Sequence, residues 1–171
     1  MVAVALALTD DPVESALLAD QLGKAFPNGS VVQFNFLPSI HAVAVLRRDP
    51  GKAVTALTAS LSYELGQATE FPPFCLYPIY LRGEAYLAAK QGSSAAAEFQ
   101  KIIDHPGVVG NELIGALAHL ELGRAYALAG ETSKAKASYK DFLTLWKDAA
   151  SDVPILKQAK AEYEKLVAEK S

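Results

Sequence analysis

Residues 76–105 and 116–145 superimpose at a constant offset of 40. Gly83 falls on Gly123, Ala85 on Ala125, Tyr86 on Tyr126 and Ala88 on Leu128; further on, Ala95 falls on Ala135, Phe99 on Tyr139 and Ile102 on Phe142. A unit this short cannot bury its own apolar face, so it must stack on its neighbours. Within each copy, small and aromatic residues recur three and four apart, the spacing of one helix face. The turns Lys90-Gln91-Gly92-Ser93 and Ala129-Gly130-Glu131-Thr132 divide each copy into two helices. A mid-helix glycine costs roughly 1 kcal/mol against alanine and is tolerable where another helix comes too close for a Cβ. Gly83 and Gly123 are therefore expected at tight contacts, with Ala95 and Ala135 approaching from the second helix and Phe99 and Tyr139 wedged between units.

Composition extends helix to the rest of the chain. Alanine occurs 30 times and leucine 22 times among 171 residues, and both lose little freedom in a helix. The fold class expected is all-α.

These residues resemble the tetratricopeptide repeat, a helix–turn–helix unit of 34 residues. Gly83, Tyr86, Ala95, Phe99 and Pro106 match its Gly, Tyr, Ala, aromatic and Pro places, and Gly123, Tyr126, Ala135 and Tyr139 match again; Ile79 and His119 stand where the family carries Trp. Two weaker copies lie upstream. In one, His41 takes the Gly place and Ala44 the Tyr place, and the helix opening at Asp49-Pro50-Gly51 supplies Ala53 and Leu57. In the other, residues 2–8 and 12–26 pair, with Asp11 as cap and Pro27-Asn28-Gly29 as closure. The resemblance implies a right-handed solenoid of helical hairpins, with units at 1–29, 31–65, 76–106 and 113–148. A polar-faced helix at 152–170, with Ile155, Ala159, Tyr163 and Leu166 on one stripe, is expected to cap it. Residues 66–74 and 105–112 read as loops between units.

Residues 76–166 are also similar to the helical-repeat tail of bacterial eukaryotic-like serine/threonine kinases, notably in GALAHLELGRAYALAGE and DFLTLWKDA. In that family the tail follows a kinase domain, usually across a membrane segment. The chain itself carries no Gly-rich loop with a strand lysine, no HRD and no DFG. Its only methionine, Met1, directly precedes an apolar run with no helix cap, which reads as a piece of a longer protein given a start codon; an ordinary start is the alternative.

Charge and motifs exclude several function classes. Sixteen basic against 19 acidic side chains give a net charge of −3 with no basic stripe, so nucleic acid is not expected. The run 2–8 is too short to span a bilayer and lacks signal-peptide flanks, so direct membrane contact is not expected either. The expectation is a soluble, cytoplasmic-type domain. One cysteine, Cys75, allows no internal disulfide and reads as a buried thiol. His41 and His119 read as partly buried between helices and His105 as a loop residue; none has metal-ligand spacing. Gly51, Gly66 and Gly92 read as isolated turn glycines, and the lysine-rich last third, interleaved with acids, as a solvated helix face. No catalytic motif and no cofactor fingerprint emerges, so the chain is not expected to be an enzyme.

What the resemblance does imply is a groove lined by first helices. Carried over place by place, it names Tyr77, Tyr80, Glu84, Leu87 and Ala88, then Leu117, Leu120, Arg124, Ala127 and Leu128, with Asn35, Ala42 and Val45 from the weaker unit. Family members that clamp a terminal carboxylate carry Lys and Asn where this chain has Tyr80 and Glu84, then Leu120 and Arg124. The expected partner is instead a protein or peptide presenting apolar side chains. Two alternatives stay open: a groove filled by the chain's own terminal helix, and a homodimer.

Overall fold

The computed structural model describes residues 12–66 and 76–168. Among them lie nine α-helices and no strand: α1 Pro12–Ala25, α2 Leu37–Leu46, α3 Pro50–Ala56, α4 Tyr77–Ala88, α5 Gly92–Ile103, α6 Pro106–Val109, α7 Leu113–Leu128, α8 Thr132–Leu145 and α9 Pro154–Ala168. A π-helical turn, Val32–Phe36, runs directly into α2, and a 3-10 turn, Leu57–Ser60, prolongs α3. The fold is all-α over this span, and no described helix is long and apolar enough to cross a membrane. The expected helix at 2–8, the Asp11 cap, Cys75 and Lys170 lie outside the described residues.

Local chemistry explains the helix ends. The Asp49 carboxylate accepts from the Lys52 N–H at 3.1 Å and Pro50 opens α3, a side-chain cap followed by a preset first turn. The turns after α4 and α7 are one motif written twice. Gln91 N donates to Tyr86 O and Glu131 N to Tyr126 O, each at 2.8 Å, around a left-handed residue: Lys90 at φ 60° in the first and Gly130 at φ 77° in the second. This is the Schellman closure, in which a positive-φ residue lets the chain turn back on the helix end.

Packing follows chain order. α1 rests on α2, α2 on α3, α3 on α4, α4 on α5, α5 on α7, α7 on α8 and α8 on α9, while α2 lies beside α4 and α4 beside α7. The largest core cluster joins α4, α5, α6 and α7 around Phe99, Ile79, Ile102 and Ala118; a second joins α7, α8 and α9 around Leu120, Phe142 and Leu156. A Cβ on Gly83 would sit 2.6 Å from Phe99 Cζ, and one on Gly123 would sit 2.9 Å from Tyr139 Cδ2. The repeat therefore encodes an aromatic ring pressed against a bare helix backbone.

Three local expectations are corrected. His41, assigned to the Gly place, is exposed, and its neighbour Ala42 is fully buried against the Ala53, Leu57 and Ala85 cluster. The π-helical turn just upstream adds a residue to the helical ladder, as such turns do. Gly92 is no mere turn glycine: a Cβ there would meet the backbone of α7 at Ala125 O and Ala129 N, both 2.7 Å away. Part of the 105–112 loop is helical, and α6 presses Val109 onto Gly115 of α7.

Candidate functional site

The first-helix residues singled out above divide into three groups. Tyr77, Tyr80, Glu84 and Arg124 come together where α4 lies beside α7, close enough for each to influence the Tyr80 hydroxyl. Leu117 and Leu120 join the cluster under α9, and Leu120 is wholly buried. Leu128 stands in solvent at 41% exposure, as do Ala88 and Ala127, and Leu87 is half-buried against the α4–α7 core. In the upstream unit, Ala42 is buried and Asn35 and Val45 are half-buried.

Tyr80 meets Phe99 edge to face, centroids 5.6 Å apart at 69°, so one side of its ring belongs to the core. Burial and the Glu84 charge push its phenol well above the ordinary range.

Across the seam runs a row of carboxyls with a single guanidinium. Arg124 Nη1 donates to Glu121 Oε1 at 2.6 Å, while Nε and Nη2 grip the two oxygens of Glu162 on α9, each at 2.9 Å. Tyr139 O–H donates to Glu162 Oε2, also at 2.9 Å. Burial opposes the Glu162 charge, yet the Arg124 fork and the Tyr139 donor outweigh it and hold that carboxyl below its usual range. Glu121 is 5% exposed. Desolvation, reinforced by the Glu84 charge across the seam, pushes it up to about 8. Burial raises Glu84 as well, and its Oε1 is sealed from solvent without a hydrogen-bond partner. The two carboxyls lie close enough across the α4–α7 contact for each to act on the other's ionisation.

A second charged cluster fastens residues before the 67–75 stretch to the repeats. Arg82, 2% exposed, donates to Glu64 at 2.8 Å and to Glu98 at 2.6 Å, and Lys101 completes the set on Glu64 at 2.8 Å. Elsewhere His105 is half-buried with Nδ1 2.7 Å from Lys101 O, and His119 is half-buried on α7. Lys134 pairs with Glu131 and lies 5.1 Å from the centre of the Tyr126 ring.

Two members of the seam, Glu121 and Glu162, were missed by sequence reasoning. Glu162 follows Ala159 by three residues and adjoins Tyr163, so it borders the apolar stripe of its helix; Glu121 directly follows the groove place held by Leu120. That adjacency was the available signal. Beside the seam is an open depression of about 200 Å³ lined by Ala127, Tyr139, Glu162, Lys165 and Leu166.

No family model, curated protein or solved structure matches this chain.

Proposed function

We propose that this chain is a non-catalytic helical-repeat module of the tetratricopeptide type, a right-handed stack of hairpins that binds a protein or peptide segment along the shared face of α4 and α7. The observation that supports it most is the double occurrence of one device. Gly83 against Phe99 and Gly123 against Tyr139, each with the same closing turn, make α4 and α7 equivalent helices set side by side. Tyr77 and Leu87 then offer half-buried apolar surface flanking Glu84, the arrangement in which aromatic anchors carry most of a binding energy. α9 covers the Leu117 and Arg124 stretch of α7, so the partner takes the remainder.

Selection from a displayed peptide library on the immobilised chain, followed by calorimetric titration of the winners, tests the reading. Tyr77→Ala should weaken such a peptide by about 1–3 kcal/mol and cost less stability than Tyr80→Ala, because Tyr77 is only half-buried against the core. Tyr80→Ala should lower binding and stability together, because its ring also packs on Phe99. A selection that yields nothing above background, or a Tyr77→Ala variant that binds unchanged, removes the proposal. The second reading, a homodimer, is favoured by the exposure of Leu113 and Leu128. Concentration-dependent light scattering separates the two, and a monomer supports the binding module. Attachment to a serine/threonine kinase as its regulatory or scaffold tail, the parent architecture the resemblance implies, is tested by reading the full open reading frame.

A further inference from the structure

Within the seam of α4, α7 and α9, three carboxyls face one guanidinium. Arg124 spends two of its donors on Glu162 and one on Glu121, which leaves Glu84 with no cation hydrogen-bonded to it and only the longer-range pull of the Arg124 charge. The surrounding groups are Tyr77 and Tyr80 on α4, Tyr139 on α8 and Gln158 on α9. None supplies a positive charge. On the other elements packed against α4 or α7, α5 directs Glu98 and Lys101 to Arg82 and Glu64, Lys52 of α3 pairs with Asp49, Lys134 of α8 with Glu131, His41 of α2 is exposed, and Lys165 of α9 stands with Glu162 and Tyr139 along the open depression. Two adjacent carboxylates in a nearly dry seam cannot both be charged at little cost, so one of them holds a proton.

We propose that Glu84 and Glu121 form a proton-operated clasp between α4 and α7: with one proton shared the helices stay packed, and with none the two carboxylates repel and the seam loosens. The inference concerns the fold and stands whether or not the chain binds a peptide.

The direction of the pH dependence follows from linkage. A free glutamic acid loses its proton near 4.5, whereas Glu121 in the folded chain, held by burial and by Glu84, keeps its proton to about 8. Between those values the native state binds the extra proton, so stability falls as pH rises and levels off above about 8. His119 acts the other way. Burial lowers its pKa from the usual 6.5, Asp141 only partly offsetting this, and its contribution to stability has levelled off above that pH. The window from 6.5 to 8 therefore reports the clasp.

The melting temperature of the full chain should fall by about 3–5 °C per pH unit across that window for a single linked proton. Carbon-13 NMR of labelled glutamate side chains should show one carboxyl titrating above pH 6.5. In Glu121→Gln, which still offers Glu84 a donor, the slope should shrink and the remaining titration should move to lower pH, since burial still acts on Glu84 but the neighbouring charge is gone. Glu84→Gln serves if the first variant does not fold; it should move the titration midpoint down by removing the neighbouring charge. Amide exchange, corrected for its intrinsic pH dependence, should accelerate in α4 and α7 more than in α3. A flat melting profile in the parent chain, an unchanged slope in Glu121→Gln, an unmoved midpoint in Glu84→Gln, or uniform exchange overturns the proposal.

Discussion

Four glycines ask the same question with four different answers. Replacing a helical glycine by alanine should stabilise by about 1 kcal/mol when the methyl meets nothing. At Gly107 a Cβ finds open space within 4 Å, so Gly107→Ala should gain up to that amount. At Gly123 the methyl would lie 2.9 to 3.2 Å from three atoms of the Tyr139 ring. Retreat of that ring by about 0.5 Å restores ordinary separation, and the net effect should be near zero. At Gly83 the distances are 2.6, 2.7 and 3.0 Å, and Phe99 is wholly buried beneath Tyr80. The ring must move by about 1 Å through a packed core, which costs about 1–3 kcal/mol before the helix gain is subtracted, a net loss of about 1 kcal/mol. At Gly92 the obstacles are Ala125 O and Ala129 N, backbone atoms fixed in the last turn of α7. Nothing there can swing aside, and the loss should reach about 3 kcal/mol. Urea unfolding of the four variants at one pH reads the series directly, each kcal/mol also moving the melting point by about 2–4 °C at this size. Phe99→Leu provides an internal control, since the Gly83→Ala, Phe99→Leu double variant should lose less than the two singles together. A Gly92→Ala chain as stable as its parent, or a Gly83→Ala chain more stable than Gly107→Ala, refutes the packing argument.

Two further outcomes are expected. Deleting the chain from Ser151 onward removes Leu156 and Ala159 from the Leu120 and Phe142 cluster and strips Arg124 of Glu162, so the chain should lose about 3 kcal/mol or more and self-associate, as thermal melts with light scattering would show; a monomeric truncation with the parental melting temperature would mean α9 stabilises nothing. Arg82→Met leaves the buried Glu64 and Glu98 with Lys101 alone and should cost about 3–5 kcal/mol by denaturant titration, more than Lys101→Met, whose ammonium is partly in water.

Much of the helical order was legible along the chain because it rests on short-range rules. The offset of 40 identified Gly83 and Gly123 with their aromatic partners, Asp49-Pro50 marked the start of α3, and the turns after α4 and α7 stand at the breaks in the repeat. Each depends on residues a few positions apart or on a pattern that recurs, and both kinds of signal survive in one dimension. The π-helical turn before α2 carries no such signature, so the placement of Ala42 emerged only in space.

The charged seam was beyond sequence reasoning for a different reason. The resemblance places Glu84 and Arg124 in a groove and the interleaved charges place Glu162 on a solvated face, with nothing to join them, since helical periodicity says which residues share a side and not which sides of remote helices meet. Local propensity and repeated spacing thus determined that the chain is helical and where two of its tightest contacts fall. Only tertiary packing decided that α9 lies over Leu120 with Glu162 on Arg124, and that Glu84 and Glu121 meet in a nearly dry cleft. A carboxyl's charge state and its partner depend on the dielectric and on neighbours 37 or 38 residues away, as Glu121 and Glu162 are from Glu84 and Arg124, and those neighbours exist only once the helices have packed.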